Sequence, residues 1–320
     1  MKVIRSLDDV KIDGQTVVAL GNFDGVHIGH REILLSAVRK AKRNNWTPVC
    51  FTFSTHTRKE VSLICTEMEK MALLQSLGIE IVVDIPFDER IRNTSAEDFI
   101  RRILGETLHA AAVCCGFNFR FGKKAAGNVD LMQNLGRDLG MEVLVNEPVY
   151  VDDMVVSSTL VRRLITDGDM ERASVCLGRN FYCTGKVIPG KQLGGRIGFP
   201  TANVVFEAYR IAPPNGVYYT LAEIDGVKYP GITDVGVKPT VGEFEKSIET
   251  HVYGLNRDLY GKNIRIEFLK WERPEMKFGS VEELRERIAS DCEKGRQYHR
   301  AHGFPELEAG RDPENSFSRS

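Results

Sequence analysis

Net charge is what this chain has least of: 43 lysines and arginines stand against 44 aspartates and glutamates. A general nucleic-acid binder needs clustered cations to displace counterions from phosphates, so the balance speaks against that class. The short basic run Arg39, Lys40, Lys42, Arg43 reads as a solvated helix face. No C-x-x-C pair and no histidine at zinc-finger spacing accompanies the seven cysteines, Cys50, Cys65, Cys114, Cys115, Cys176, Cys183 and Cys292. For an odd, unpatterned set, free and mostly buried thiols in a reducing compartment fit best. Long apolar runs are also missing. No stretch approaches the roughly 20 apolar residues that span a bilayer, and the opening MKVIRSLDDVKIDG has no apolar core of signal-peptide length. The expected setting is cytoplasmic, with no membrane partner and no nucleic acid.

What is present is a folded composition, 42% hydrophobic and 27% charged over 320 residues, with room for two ordinary domains. The first half alternates strand and helix signals. Val17–Leu20 is a buried-strand run ending at Gly21, and beyond His30 the apolar Ile33, Leu34, Ala37, Val38 and Ala41 recur at helical spacing. The alternation continues with strands over 48–53, 80–85, 111–115 and 141–145 and helices over 67–77, 96–104 and 131–139. Such β-α alternation predicts a Rossmann-like parallel sheet with helices on both faces, ligands sitting outside the carboxyl ends of the strands.

From about Asn180 the punctuation changes. β-rich runs over 181–188, 216–224, 228–235, 248–255 and 263–271 follow one another, separated by glycine and proline, as in a small antiparallel barrel. A single helix opened by Ser280-Val-Glu-Glu283, a capping-box pattern, is expected to cover it. The polar stretch 305–320 is expected to be a disordered tail. No internal repeat relates the halves. The expected domains are 1–178 and 179–304.

Gly21-Asn-Phe-Asp-Gly-Val-His-Ile-Gly-His30 joins the first strand to the first long helix. His27 and His30 then lie at a helix entrance, where free N–H groups and the dipole favour an anion, and the glycines let a ligand approach the backbone. Phosphate binding is the favoured reading. A plain tight turn with capping histidines is the alternative, and a metal site lacks a carboxylate or thiolate partner in the local sequence. This segment resembles the H-x-G-H nucleotidyltransferases and, among them, the bacterial bifunctional riboflavin kinase/FAD synthetases. The resemblance implies that His27 and His30 hold the ATP triphosphate, with Gly21, Phe23 and Gly29 in the ATP site, while the FMN phosphate attacks the α-phosphorus.

Three more segments carry the resemblance. Gly116-Phe-Asn-Phe-Arg-Phe-Gly122 is similar to the family's G-x-[DN]-F-x-F-G loop and implies a flavin or nucleotide contact at Asn118, the flavin being preferred. Val156-Ser-Ser-Thr-Leu-Val-Arg162 resembles S-S-T-x-I-R and implies that Ser158, Thr159 and Arg162 serve ATP. Phe51–Thr57 corresponds to F-x-P-H-P, with His56 kept and Thr55 and Thr57 in place of the prolines.

In the second half, Gly194-Gly-Arg-Ile-Gly-Phe-Pro-Thr-Ala-Asn203 is a glycine-rich loop entering a strand. Thr201 and Asn203 are two apart and share a face in extended chain, where two neutral oxygens suit Mg²⁺ alongside nucleotide phosphates; taken alone, an ordinary edge strand reads as well. The segment resembles the riboflavin kinase motif G-R-x-x-G-F-P-T-A-N. That resemblance implies Mg²⁺ at Thr201 and Asn203, ATP at Gly194, Arg196 and Gly198, and Glu249, within Ser247–His251, as general base toward riboflavin. Asp234-Val-Gly236 stands where the family reads N-I-G, and Gly254 replaces a common aspartate. The implied enzyme turns riboflavin into FMN and FMN into FAD with ATP, acts on small molecules and has homo-oligomers open to it. A flavin-binding regulator without turnover is the rival class.

Overall fold

The structure is a computed structural model and describes residues 1–54, 61–190, 193–240, 243–255 and 257–304. It falls into two compact units, Met1–Val161 and Arg162–Ser320, dividing ahead of the boundary read from the sequence. His56 with its flanking threonines and the tail from Pro305 lie outside the described residues.

The first unit opens with β1 (Lys2–Ile4) and β2 (Thr16–Leu20), then α1 (Ile28–Asn44), β3 (Thr47–Phe53), α2 (Glu67–Ser76) and β4 (Ile81–Ile85). α3 (Glu89–Asn93) and α4 (Ala96–Asp98) follow, then β5 (Ala110–Gly116), α5 (Val129–Asp138), β6 (Glu142–Asn146), and the hairpin β7 (Tyr150–Val151) and β8 (Met154–Val155). The sheet order β1-β4-β3-β2-β5-β6 is parallel throughout. β2 shows why both faces are covered: Val17 and Ala19 pack with Leu34 and Ala37 of α1, while Val18 and Leu20 pack with Phe51, Ile100 and Leu104 on the other side.

The helix expected over 96–104 departs from plan. After α4 the chain widens into π-type turns over Phe99–Thr107, with the Leu108 N–H donating to Ile103 O at 2.9 Å. The wider turns keep Phe99, Ile100, Ile103 and Leu104 all buried against the sheet. Chain order places β3 on one side of β2 and β5 on the other, so the loops leaving β2 and β5 meet at the topological switch point.

α6 (Ser158–Thr166) runs across the division between the units. The second unit continues with α7 (Met170–Leu177), β9 (Phe181–Lys186), the single turn α8 (Leu193–Arg196), β10 (Ala202–Val205), β11 (Gly216–Ile224), β12 (Val227–Thr240), β13 (Glu243–Val252), β14 (Asn263–Arg273) and α9 (Val281–Ala301). Its antiparallel sheet has the order β10-β13-β12-β11-β14-β9. The Ile188 N–H donates to Asn203 O at 2.9 Å, tying the chain beyond β9 back to β10 and closing the ring. Inside, the fully buried hydroxyls of Thr220, Thr233 and Thr250 bond in series at 2.8 and 2.8 Å, which satisfies polar groups that burial would otherwise leave costly. α9 covers part of the outer face, packing Cys292, Ile288 and Tyr298 against Val217, Tyr219 and Ile232. Ser280 caps it from Glu283 N–H at 3.1 Å, but the returning Glu283 carboxylate takes the N–H of Gly279 instead of Ser280. All seven cysteines are free and buried.

Candidate active sites

The loop leaving β2 is bent by three successive departures into positive φ, Phe23 at 50°, Gly25 at 77° and Val26 at 41°. A β-branched valine is rarely found there, so the surroundings must hold it. They do so through Asp24. Its buried carboxylate accepts the Ile64 N–H at 3.0 and 3.2 Å, and the Gly25 N–H donates to the Cys65 thiol at 3.3 Å. The Ser158 hydroxyl closes the third side by donating to the Asp24 carbonyl at 3.1 Å.

That clamp delivers His27 as the N-cap of α1. Its Nδ1 accepts the His30 N–H at 3.2 Å, which leaves the proton of the neutral ring on Nε2. The His27 and His30 rings stack with centroids 3.6 Å apart and 20° between planes. Phe23 is fully buried and meets His30 edge-on at 5.2 Å, so its ring supports the histidine and only its backbone is left for a nucleotide. Gly29 is held close: a Cβ there would stand 3.3 Å from the His27 ring and 3.7 Å from Val156 O. At Gly21 a Cβ would come within 3.0 Å of the Phe23 ring.

Ser157, not Ser158, caps α6, its hydroxyl accepting the Leu160 N–H at 3.2 Å. Ser158 is spent on the loop, Thr159 is exposed in the first turn, and Arg162 lies half-buried one turn on, as the first residue of the second unit. Asn118 follows β5. Its Oδ1 would lie 3.6 Å from a Cβ at Gly116, next to Ile33 of α1 at 3.5 Å, so the switch-point loop and the histidine helix adjoin.

In the second unit the loop before β10 is folded tightly. Phe199 N–H donates to Gly194 O at 2.7 Å, and a Cβ at Gly194 would strike Phe199 O at 2.3 Å. Gly198 takes φ +93°, and Arg196 is exposed beside it. His251 of β13 anchors the loop, its Nδ1 2.9 Å from Pro200 O. Thr201 and Asn203 then share a face as expected, the Asn203 amide lying 3.4 Å from Thr201 O and 3.5 Å from Thr201 Oγ1. Register sets Asn203 directly opposite Glu249, so amide and carboxylate stand side by side across β10 and β13.

A helix entrance with a histidine stack lies in the first unit, and an amide–carboxylate pair beside a glycine loop in the second. Two different family models match the chain, one in each half. A family model described as FAD synthetase matches residues 9–160, and one described as riboflavin kinase matches 177–299. The bifunctional riboflavin kinase/FMN adenylyltransferase of Buchnera aphidicola subsp. Schizaphis graminum is 32% identical over 309 residues, spanning 93% of this chain and 99% of that one. The chain belongs to the bifunctional riboflavin kinase/FMN adenylyltransferase family. The Bacillus subtilis member is 35% identical over 297 residues, spanning 89% of this chain and 92% of its own. A solved structure described as a macrolide-efflux protein from Streptococcus pneumoniae superposes with a TM-score of 0.83 at 28% identity, covering 90% of this chain and 96% of that one. Among the described residues, no helix is long and apolar enough to cross a membrane.

As a member of the bifunctional riboflavin kinase/FMN adenylyltransferase family, the chain phosphorylates riboflavin to FMN and adenylylates FMN to FAD, its substrates being these flavins and ATP. Two site features escape motif reading. The Asp24 clamp depends on Ile64 and Cys65, whose partnership no local spacing announces. Asp234, a sequence departure, is brought by register directly opposite Glu249 on β12. Burial, reinforced by the Glu275 and Glu249 carboxylates and opposed by Arg273, pushes its carboxyl up to about 6. A carboxyl raised on folding penalises the folded state fully above that pH, and the penalty is released progressively as pH falls from there to the ordinary carboxyl value near 3.8. Asp234→Asn is therefore expected to stabilise the second unit at pH 8, by at most about 3 kcal/mol, to keep about half of that gain at pH 5 and to give little at pH 4. Thermal unfolding of both proteins at pH 8, 5 and 4 checks this.

Proposed function

We propose that adenylyl transfer is carried out by the Met1–Val161 unit with His27 and His30, and phosphoryl transfer by the second unit with Glu249, Thr201 and Asn203. In the first, the Nε2–H of His27, the His30 ring and the N–H groups opening α1 receive the triphosphate. A phosphate oxygen of FMN attacks the α-phosphorus, the bond to the β-phosphate oxygen breaks, and pyrophosphate leaves. The chain contributes position and positive potential and forms no covalent intermediate. Asn118 is assigned to the flavin, and Thr159 and Arg162 to the nucleotide.

In the second, the Glu249 carboxylate takes the proton of the riboflavin 5′-hydroxyl while that oxygen attacks the γ-phosphorus and ADP leaves. Gly194, Arg196 and Gly198 are assigned to the nucleotide. Thr201 Oγ1 and the Asn203 amide oxygen fit Mg²⁺: they are neutral hard donors on one face, and Asn203 is only 4% exposed. The chain backs that amide closely, a Cβ at Gly190 overlapping it at 2.5 Å. Bound there with ATP, Mg²⁺ supplies charge neutralisation at the transferred phosphate. We assign the enzyme to the cytoplasm, without nucleic-acid partners and with self-assembly open to it.

The observation that supports this reading is the register pair Asn203–Glu249, an amide that suits a metal opposite a carboxylate that suits a base. Asn203→Ala is expected to raise the Mg²⁺ concentration for half-maximal FMN formation by about tenfold, in line with the loss of one ligand contact. Initial rates over a Mg²⁺ series test it; an unchanged requirement would remove Asn203 from the metal site.

A further inference from the structure

We infer that Asp234 is a positioning residue for phosphoryl transfer: acting through Glu249, it makes FMN formation fall off on mild acidification. This rests on the assignment of Glu249 as the base. The geometry is a row. Asn203, Glu249 and Asp234 are direct partners across β10, β13 and β12, so their side chains leave the same face of the barrel, with the Glu249 strand standing between Asp234 and the metal-assigned amide. Directly opposed residues have Cβ atoms about 4.5–5.5 Å apart. Two carboxyl groups at that spacing act on one another's charge.

Strand alternation holds Asp234 on this face, since its neighbours Thr233 and Val235 are buried on the other. Its Oδ2 is folded back along its own strand, 3.6 Å from where a Cβ at Gly236 would stand, and Glu275 Oε1 approaches the same point at 2.8 Å. The next partner in the row, Val217 of β11, is apolar and offers no countercharge. Arg273 of β14 opposes the carboxylates with its positive charge, but it is bound by Asp291 of α9 at 2.9 and 2.6 Å. Lys246 of β13 is engaged with Asn215, which also binds Glu275 at 2.8 Å. Burial first, and then the Glu275 and Glu249 carboxylates facing it, push the Asp234 carboxyl up to about 6 against the opposing charge of Arg273.

The consequence follows from charge alone. Above that pH, an ionised Asp234 adds a negative charge beside Glu249 and strengthens it as a proton acceptor; below it, that help is lost. An asparagine at 234 keeps the shape and never carries the charge.

The test is the pH dependence of FMN formation between pH 5.5 and 8, at saturating riboflavin and MgATP, for the full chain and for Asp234→Asn and Asp234→Ser. Circular dichroism serves as the folding control, and Glu249→Gln is run in parallel. The wild-type rate is expected to be about threefold or more higher at pH 8 than at pH 5.5. Both Asp234 variants are expected to lose most of that ratio through kcat, with KM for ATP little changed. A flat wild-type profile, or the wild-type ratio retained in a folded Asp234→Asn, overturns the inference. If Glu249→Gln still forms FMN, the base assignment itself fails. If Glu249→Gln is inactive while the Asp234 variants keep the wild-type limb, only the role of Asp234 is lost.

Discussion

Glu249→Gln is expected to lower FMN formation by about 10²–10⁴-fold while leaving adenylylation of supplied FMN essentially intact. Glutamine preserves the size of the side chain and its place opposite Asn203 on β13, but it cannot accept a proton. The loss should appear in kcat, because the missing interaction is made as the hydroxyl is deprotonated and not when riboflavin binds. Retention of the other activity follows from the division of the chain, since His27, His30 and Asp24 all belong to the first unit and Glu249 to the second. Separate assays with riboflavin and with FMN as starting flavin read the two effects. Loss of both activities in a folded protein would contradict the assignment.

The reverse pattern is expected of His30→Ala. Removing one preorganised donor from a charge-stabilising site costs about 10²–10³ in rate, and here the ring also completes the stack on His27 at 3.6 Å. The backbone N–H of residue 30 remains to bond His27 Nδ1, so the cap of α1 survives and the fold is expected to persist. FAD formation from FMN should fall by that factor with FMN formation from riboflavin unchanged, measured by flavin chromatography. An unaltered FAD yield would remove His30 from the triphosphate site.

How much of this was legible beforehand differs by kind of information. The alternation of strands and helices, and the position of His27 and His30 at the entrance of α1, follow from local periodicity and glycine placement, and they appear where expected. The pairing of Asn203 with Glu249 is another matter. A register is fixed by the whole sheet, so only the resemblance singled out Glu249, and nothing in the sequence put Asp234 on its other side. The Asp24 clamp joins residues 40 positions apart, beyond any motif window. Within Ser157-Ser158-Thr159 the sequence offers three hydroxyls, and only packing decides that Ser157 caps the helix and Ser158 reaches the Asp24 carbonyl. The π-type turns over 99–107 escaped for a related reason, because the apolar spacing there fits an α-helix equally well.

The most direct measurement is a time course of the purified protein with riboflavin, ATP and Mg²⁺, resolving riboflavin, FMN and FAD by fluorescence-detected chromatography. The account predicts that FMN rises first and FAD follows at its expense, with ADP and pyrophosphate as the two nucleotide-side products. Riboflavin left unconverted, or FMN accumulating with no FAD formed at any time, would contradict it.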